Sequence, residues 1–95
     1  MAAYLIANIE VLDPSMYEEY RKRVTATIAA HGGRYLTRGG AAQVLEGEFD
    51  VKRFVIVEFP SMEALRTWYA APEYQPLLEL RQRASKSMLM MVEGV

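Results

Sequence analysis

The chain has 95 residues, no cysteine and a formal charge of -1 from 11 Lys+Arg against 12 Asp+Glu, with 52% hydrophobic and 24% charged residues. That is one modest core in a single domain over 1–95, too apolar for a disordered chain and without the run of about 18 apolar residues that a membrane span needs. The balanced charge and lack of a basic stripe exclude an electrostatic nucleic-acid or membrane binder, and the missing cysteines exclude disulfides, thiolate catalysis and cysteine-held metals.

From Ala3 to Val11 the side chains alternate, with Leu5, Ala7, Ile9 and Val11 on one face of a strand and Tyr4, Ile6, Asn8 and Glu10 on the other. The segment begins without a basic region, so no secretory signal is expected and the expected location is cytoplasmic. Asp13-Pro14 is a helix start, a capping carboxylate followed by a proline whose missing N–H costs nothing there. Tyr17, Tyr20, Val24, Ile28 and His31 then recur at helical spacing until Gly32-Gly33 ends the helix.

Arg34 to Arg38 reads as a strand, Gly39-Gly40 as a bend or bulge, and Ala42 to Glu48 as its continuation or partner. Arg53 to Phe59, RFVIVEF, is β-branched and aromatic on both faces and is expected at the sheet centre. Pro60 ends it. Ser61 caps a short helix carrying Met62, Leu65, Trp68 and Tyr69, Pro72 breaks that helix, and a second one runs from Glu73 through Leu77, Leu78, Leu80 and Arg81. Ser87 to Val92, SMLMMV, closes the pattern as a strand.

The order of strand, helix, two strands, helical segment and strand predicts an α+β, ferredoxin-like antiparallel sheet with helices on one face. Both faces of the sheet carry apolar side chains while the helices suffice for only one. A second copy is therefore expected against the open face, giving a homodimer through sheet faces.

The strings HGGRYLTRGG at His31 to Gly40, EG at Glu46-Gly47, VIVEFPS at Val55 to Ser61 and WYAAPEYQPL at Trp68 to Leu77 carry a resemblance over nearly the whole chain. It resembles the domain-of-unknown-function family numbered 1330. The resemblance implies a dimeric α/β barrel, a fold shared with small monooxygenases, dehydratases, isomerases and chlorite dismutase-like proteins, and it assigns no function, since one fold serves many chemistries.

Parity brings out the candidate site. Asn8 shares a face with Tyr4 and Ile6, Glu58 shares one with Phe54 and Ile56, and if Leu5, Ala7 and Ile9 meet the helices both polar groups point between the sheets. A carboxylate there must be paired, hydrogen-bonded or protonated, and Arg34 and Arg38 are the available partners. Glu58 is thus a candidate catalytic base or one half of a structural pair. His31, the single histidine, is a candidate for proton transfer or simply a cap on helix carbonyls. Arg34 and Arg38, beside two glycine pairs, are candidates to bind a carboxylate or enolate. Tyr35 offers a hydroxyl. Trp68, Tyr69 and Tyr74 form an aromatic wall for a ligand or an interface packing cluster.

With one histidine and no cysteine, no metal set is expected, and no glycine-rich phosphate loop or serine nucleophile motif occurs, so no cofactor is expected. Two functional readings stand beside each other. One is a cofactor-independent enzyme acting on a small organic acid or ketone, or an aromatic ligand of that kind, by proton transfer or oxygenation. The other is a non-catalytic small-molecule binding protein or a structural homodimer.

Overall fold

The computed structural model describes residues 1–95. Strand β1 (Ala3–Val11) leads into helix α1 (Pro14–Ala30), strands β2 (Arg34–Arg38) and β3 (Arg53–Phe59), helices α2 (Met62–Ala70) and α3 (Gln75–Ala84), and strand β4 (Ser85–Glu93). The four strands form one antiparallel sheet in the order β2-β3-β1-β4. This is the ferredoxin-like arrangement, with RFVIVEF inside the sheet as its composition requires.

Local chemistry sets the boundaries. Asp13 caps α1 by accepting from Met16 N at 3.1 Å, and Pro14 occupies the first turn. The helix ends where Gly32 takes a left-handed φ of 78°, so that Gly32 N and Gly33 N reach back to Ala29 O and Ile28 O. Gly33 must also lack a side chain, because a Cβ there would lie 2.7 Å from Ile28 Cγ2 and 2.8 Å from Phe59 Cε1. Ser61 caps α2 through Ala64 N. Pro72 lies in the break between α2 and α3.

The parity of β1 and β3 survives pairing intact. Register joins Leu5 to Val57 and Ala7 to Val55 on one face, and Tyr4 to Glu58, Ile6 to Ile56 and Asn8 to Phe54 on the other. The first face meets Tyr17, Tyr20, Val24 and Ile28 of α1, Leu65 and Trp68 of α2, and Leu77 and Ala84 of α3 in one core. Trp68 is its centre, 1% exposed, with its ring centroid 5.4 Å from Phe59 and 4.2 Å from Tyr74 and its Nε1 donating to Thr27 Oγ1 at 3.0 Å. The second face has no helix on it. Met88, Met90 and Val92 of β4 lie there, between 42% and 51% exposed.

The strand expected over Ala42–Glu48 does not form; residues 40–52 run as an exposed loop. These residues link edge strand β2 to β3, which pairs directly with β2, so the stretch serves as the connection and adds no strand to the sheet. Asn8 ties the loop down, donating from Nδ2 to Asp50 O at 3.0 Å and accepting from Lys52 N at 2.8 Å. Strand β4 begins two residues earlier than the apolar run, at Ser85, because Ser85 pairs with Val11 across the sheet.

Candidate functional site

The candidate residues divide among four places. Asn8, Glu58 and Arg34 lie on the open sheet face. Arg34 Nε donates to Glu58 Oε1 at 2.8 Å and Tyr4 Oη donates to Glu58 Oε2 at 3.3 Å. Arg34 is 73% exposed, so the pair is worth about 0–1 kcal/mol. Asn8 spends both ends of its amide on the 40–52 loop.

His31 lies at the C-terminal end of α1. Its Nδ1 donates to Thr27 O at 3.0 Å, and its Nε2 is 3.6 Å from Glu73 Oε1, just ahead of α3. It ties the end of one helix to the start of another, away from the open face. Tyr69, partly exposed, lines a groove of about 320 Å³ with Leu65, Arg66, Met90 and Met91.

The fourth place is a cavity between α1 and the covered face of the sheet, and it collects Tyr35, Arg38 and Trp68. A β-bulge between Tyr35 and Thr37 restores the parity that puts Tyr35 opposite Val57 and Arg38 opposite Val55, both facing the helices. Arg34, facing Glu58, therefore lies on the opposite side of the sheet from Arg38. The cavity holds about 30 Å³, room for a water or two or for the head of a small acid. Arg38 donates from Nη2 to Arg21 O at 2.8 Å, and its guanidinium lies 4.3 Å over the Tyr35 ring.

Two further residues of this lining, Tyr20 and Arg81, read in the sequence as helix residues and not as site candidates. Tyr20 Oη and Tyr74 Oη are hydrogen-bonded at 2.9 Å in the buried interior, and Arg81 Nε donates to Tyr74 Oη at 3.4 Å. Burial, reinforced by Tyr74, pushes the Tyr20 phenol far above the ordinary tyrosine value, and burial likewise raises Tyr35. For Arg81, burial works against the charged form, but the oxygens of Tyr74, Tyr20 and Tyr69 leave it above the ordinary arginine value. The signal for Arg81 is its spacing. Tyr74, Leu77, Arg81 and Ala84 follow at intervals of three, four and three, so a charged residue occupies the buried stripe of α3.

Chemically the cavity offers apolar walls, phenolic hydroxyls and three guanidinium groups, of which that of Arg21 is paired with Glu18, and no carboxylate or imidazole lines it. It can bind and stabilise negative charge on oxygen. No three His, Cys, Asp or Glu side chains converge as a metal-ligand set anywhere in the chain, and no helix is long and apolar enough to cross a membrane.

Comparison with solved structures places the fold among known proteins. The RPA0582 protein of unknown function from Rhodopseudomonas palustris is similar at a TM-score of 0.76 and 18% identity, over 99% of this chain and 82% of that one. SnoaB, a cofactor-independent oxygenase from Streptomyces nogalater, is similar at a TM-score of 0.67 and 18% identity, over 99% and 93%. A dimeric ferredoxin-like protein of unknown function from Thermobifida fusca has a TM-score of 0.67 and 14% identity, over 99% and 92%. Likeness at these identities shows the fold alone. No curated protein matches the chain. The model of the family described as a domain of unknown function, DUF1330, matches residues 2–95. With its HGGRYLTRGG, VIVEFPS and WYAAPEYQPL strings set on that frame, the chain belongs to the DUF1330 family.

Proposed function

We propose that the protein is a homodimer with its two open sheet faces packed together, and that each subunit takes a small organic acid or ketone into the helix–sheet cavity. It acts on that ligand without a cofactor, by stabilising negative charge on an oxygen during proton transfer or oxygenation. The observation that carries this reading is the cavity lining. Mostly apolar walls with a few polar groups converging from separate elements, here Tyr20 from α1, Tyr35 and Arg38 from β2 and Arg81 from α3, are the make-up of a ligand pocket.

Two likenesses support it. SnoaB performs cofactor-independent oxygenation on this type of frame, and the Thermobifida fusca protein is dimeric. The exposed row of Met88, Met90 and Val92 supplies an apolar surface for a second copy. Sedimentation equilibrium tests that part: the chain is expected to be a dimer, and Met90→Lys is expected to yield monomers. A wild-type monomer would remove the dimer.

Because no carboxylate or imidazole lines the cavity, its residues stabilise an anion, and the proton leaves to another acceptor. Glu58 and His31, proposed for proton transfer, lie outside it. Turnover that persists in Glu58→Gln and His31→Gln removes them from catalysis. The missing base also favours a second reading, a non-catalytic binding protein. Incubation with small keto acids and phenols in heavy water and in an oxygen electrode separates the two. Protein-dependent deuterium incorporation or oxygen uptake supports the enzyme, and saturable binding with neither supports the binder.

A further inference from the structure

Behind the covered face of the sheet lies the one charged residue that the fold buries. Arg81 is 4% exposed, its guanidinium makes a single long hydrogen bond to a phenol, and none of the four ion pairs in the chain includes it. Stripping water from a guanidinium is costly unless an anion and hydrogen-bond acceptors replace it. A methionine on the same stripe of α3 would fill the space without that cost.

The surroundings suit an anion. Arg81 shares the cavity with Tyr20, Tyr35 and Arg38, and Arg38 has no carboxylate partner either. Tyr20 and Tyr74 use one hydroxyl hydrogen between them, which leaves the other free to donate to a third oxygen. Donors and positive charge therefore converge, and of the three arginines only Arg21 has an acid, Glu18, paired with it.

We infer that Arg81 is the anion subsite of this cavity, taking the carboxylate, enolate or phenolate oxygen of a small planar organic acid with help from the Tyr20–Tyr74 hydroxyl pair. The inference rests on the reading of this cavity as a ligand site, and it adds the charge of the ligand and the residue that selects it. A planar guanidinium offers two parallel N–H groups to a carboxylate, a match that a lysine ammonium lacks. The cavity of about 30 Å³ takes the acid's head against Arg81, and the rest of the molecule would extend toward the more exposed Arg21 and Arg38.

Trp68 lines the same cavity and is the only tryptophan, so its emission reports occupancy. The intact protein is titrated with acetate and benzoate and with their neutral counterparts acetamide and benzamide, by Trp68 fluorescence and calorimetry. Each acid is expected to bind at least about tenfold more tightly than its amide, a preference lost in Arg81→Met and kept in part by Arg81→Lys. Equal binding of acids and amides, or an acid preference that survives Arg81→Met, overturns the inference and leaves the cavity reading standing. Silence from all four probes overturns both. Should Arg81→Met fail to fold, the acid–amide comparison in the wild type and a reduced preference in Arg81→Lys decide the matter.

Discussion

Two arginines on opposite sides of the sheet, one in β2 and one in α3, are in opposite circumstances. Arg34 on the open face is 73% exposed and has a carboxylate at 2.8 Å, while Arg81 behind the covered face is 4% exposed and has none. The exposed charge has the partner that matters little to it, because water screens both ions; the buried charge lacks the partner it would need. If stability alone had placed them, the acid would be inside or the inner arginine would be absent. The difference teaches that the covered face is built for more than packing.

The comparison breaks first at Trp68, where the core and the cavity share a side chain. Trp68→Ala is expected to cost about 3–5 kcal/mol in urea unfolding, since the indole touches Phe59 and Tyr74 and no neighbour can collapse into its volume. A loss below about 1 kcal/mol would show that the covered face is not one continuous core. Arg81→Met is expected to act in the opposite direction, raising unfolding stability by about 1–4 kcal/mol in the absence of ligand, because it removes a buried charge that has no carboxylate partner. Destabilisation by Arg81→Met would mean that the guanidinium serves the fold itself.

The buried phenols sharpen the contrast through pH. Tyr20 has a folded-state value raised far above the 10.0 of an unperturbed tyrosine, so above that pH the unfolded chain releases a proton that the folded one retains. Its contribution is full below about pH 10 and is lost progressively above it. Stability is therefore expected to fall from about pH 10 upward, and Tyr20→Phe to flatten that fall while costing about 1 kcal/mol at neutral pH through the lost bond to Tyr74. An unchanged alkaline profile in Tyr20→Phe would place the effect elsewhere. The smallest effect belongs to the open face. Arg34→Met is expected to change stability by about 0–1 kcal/mol, and a larger loss, measured where the protein is dimeric, would show that the Glu58 pair is buried by a second copy.

Much of the architecture is legible in the residues because strands and helices repeat on different periods. Alternation in YLIANIEV and RFVIVEF, the Asp13-Pro14 start and the Gly32-Gly33 stop all act over a few residues, and each appears where the pattern put it. The face shared by Asn8 and Glu58 follows from the same arithmetic, which leaves Arg34 and Arg38 both open as partners of Glu58. Ala42–Glu48 misleads because a few alternating apolar residues satisfy a strand pattern, while the hairpin partner of β2 is β3 and the stretch between them is its connection.

The site was less legible, since its parts meet only through distant segments. Parity separates the faces of a single strand, but a bulge after Tyr35 decides that Arg38 joins the helices and that Arg34 joins Glu58. The Tyr20–Tyr74–Arg81 chain spans residues 54 and 7 positions apart, brought into contact by the packing of α1 on α3. Periodicity reports which way a residue faces and carries no information about what it faces. That is why the elements and the open sheet face were present in the sequence, whereas the buried, unpaired guanidinium and its phenols emerged only once the helices closed over the sheet.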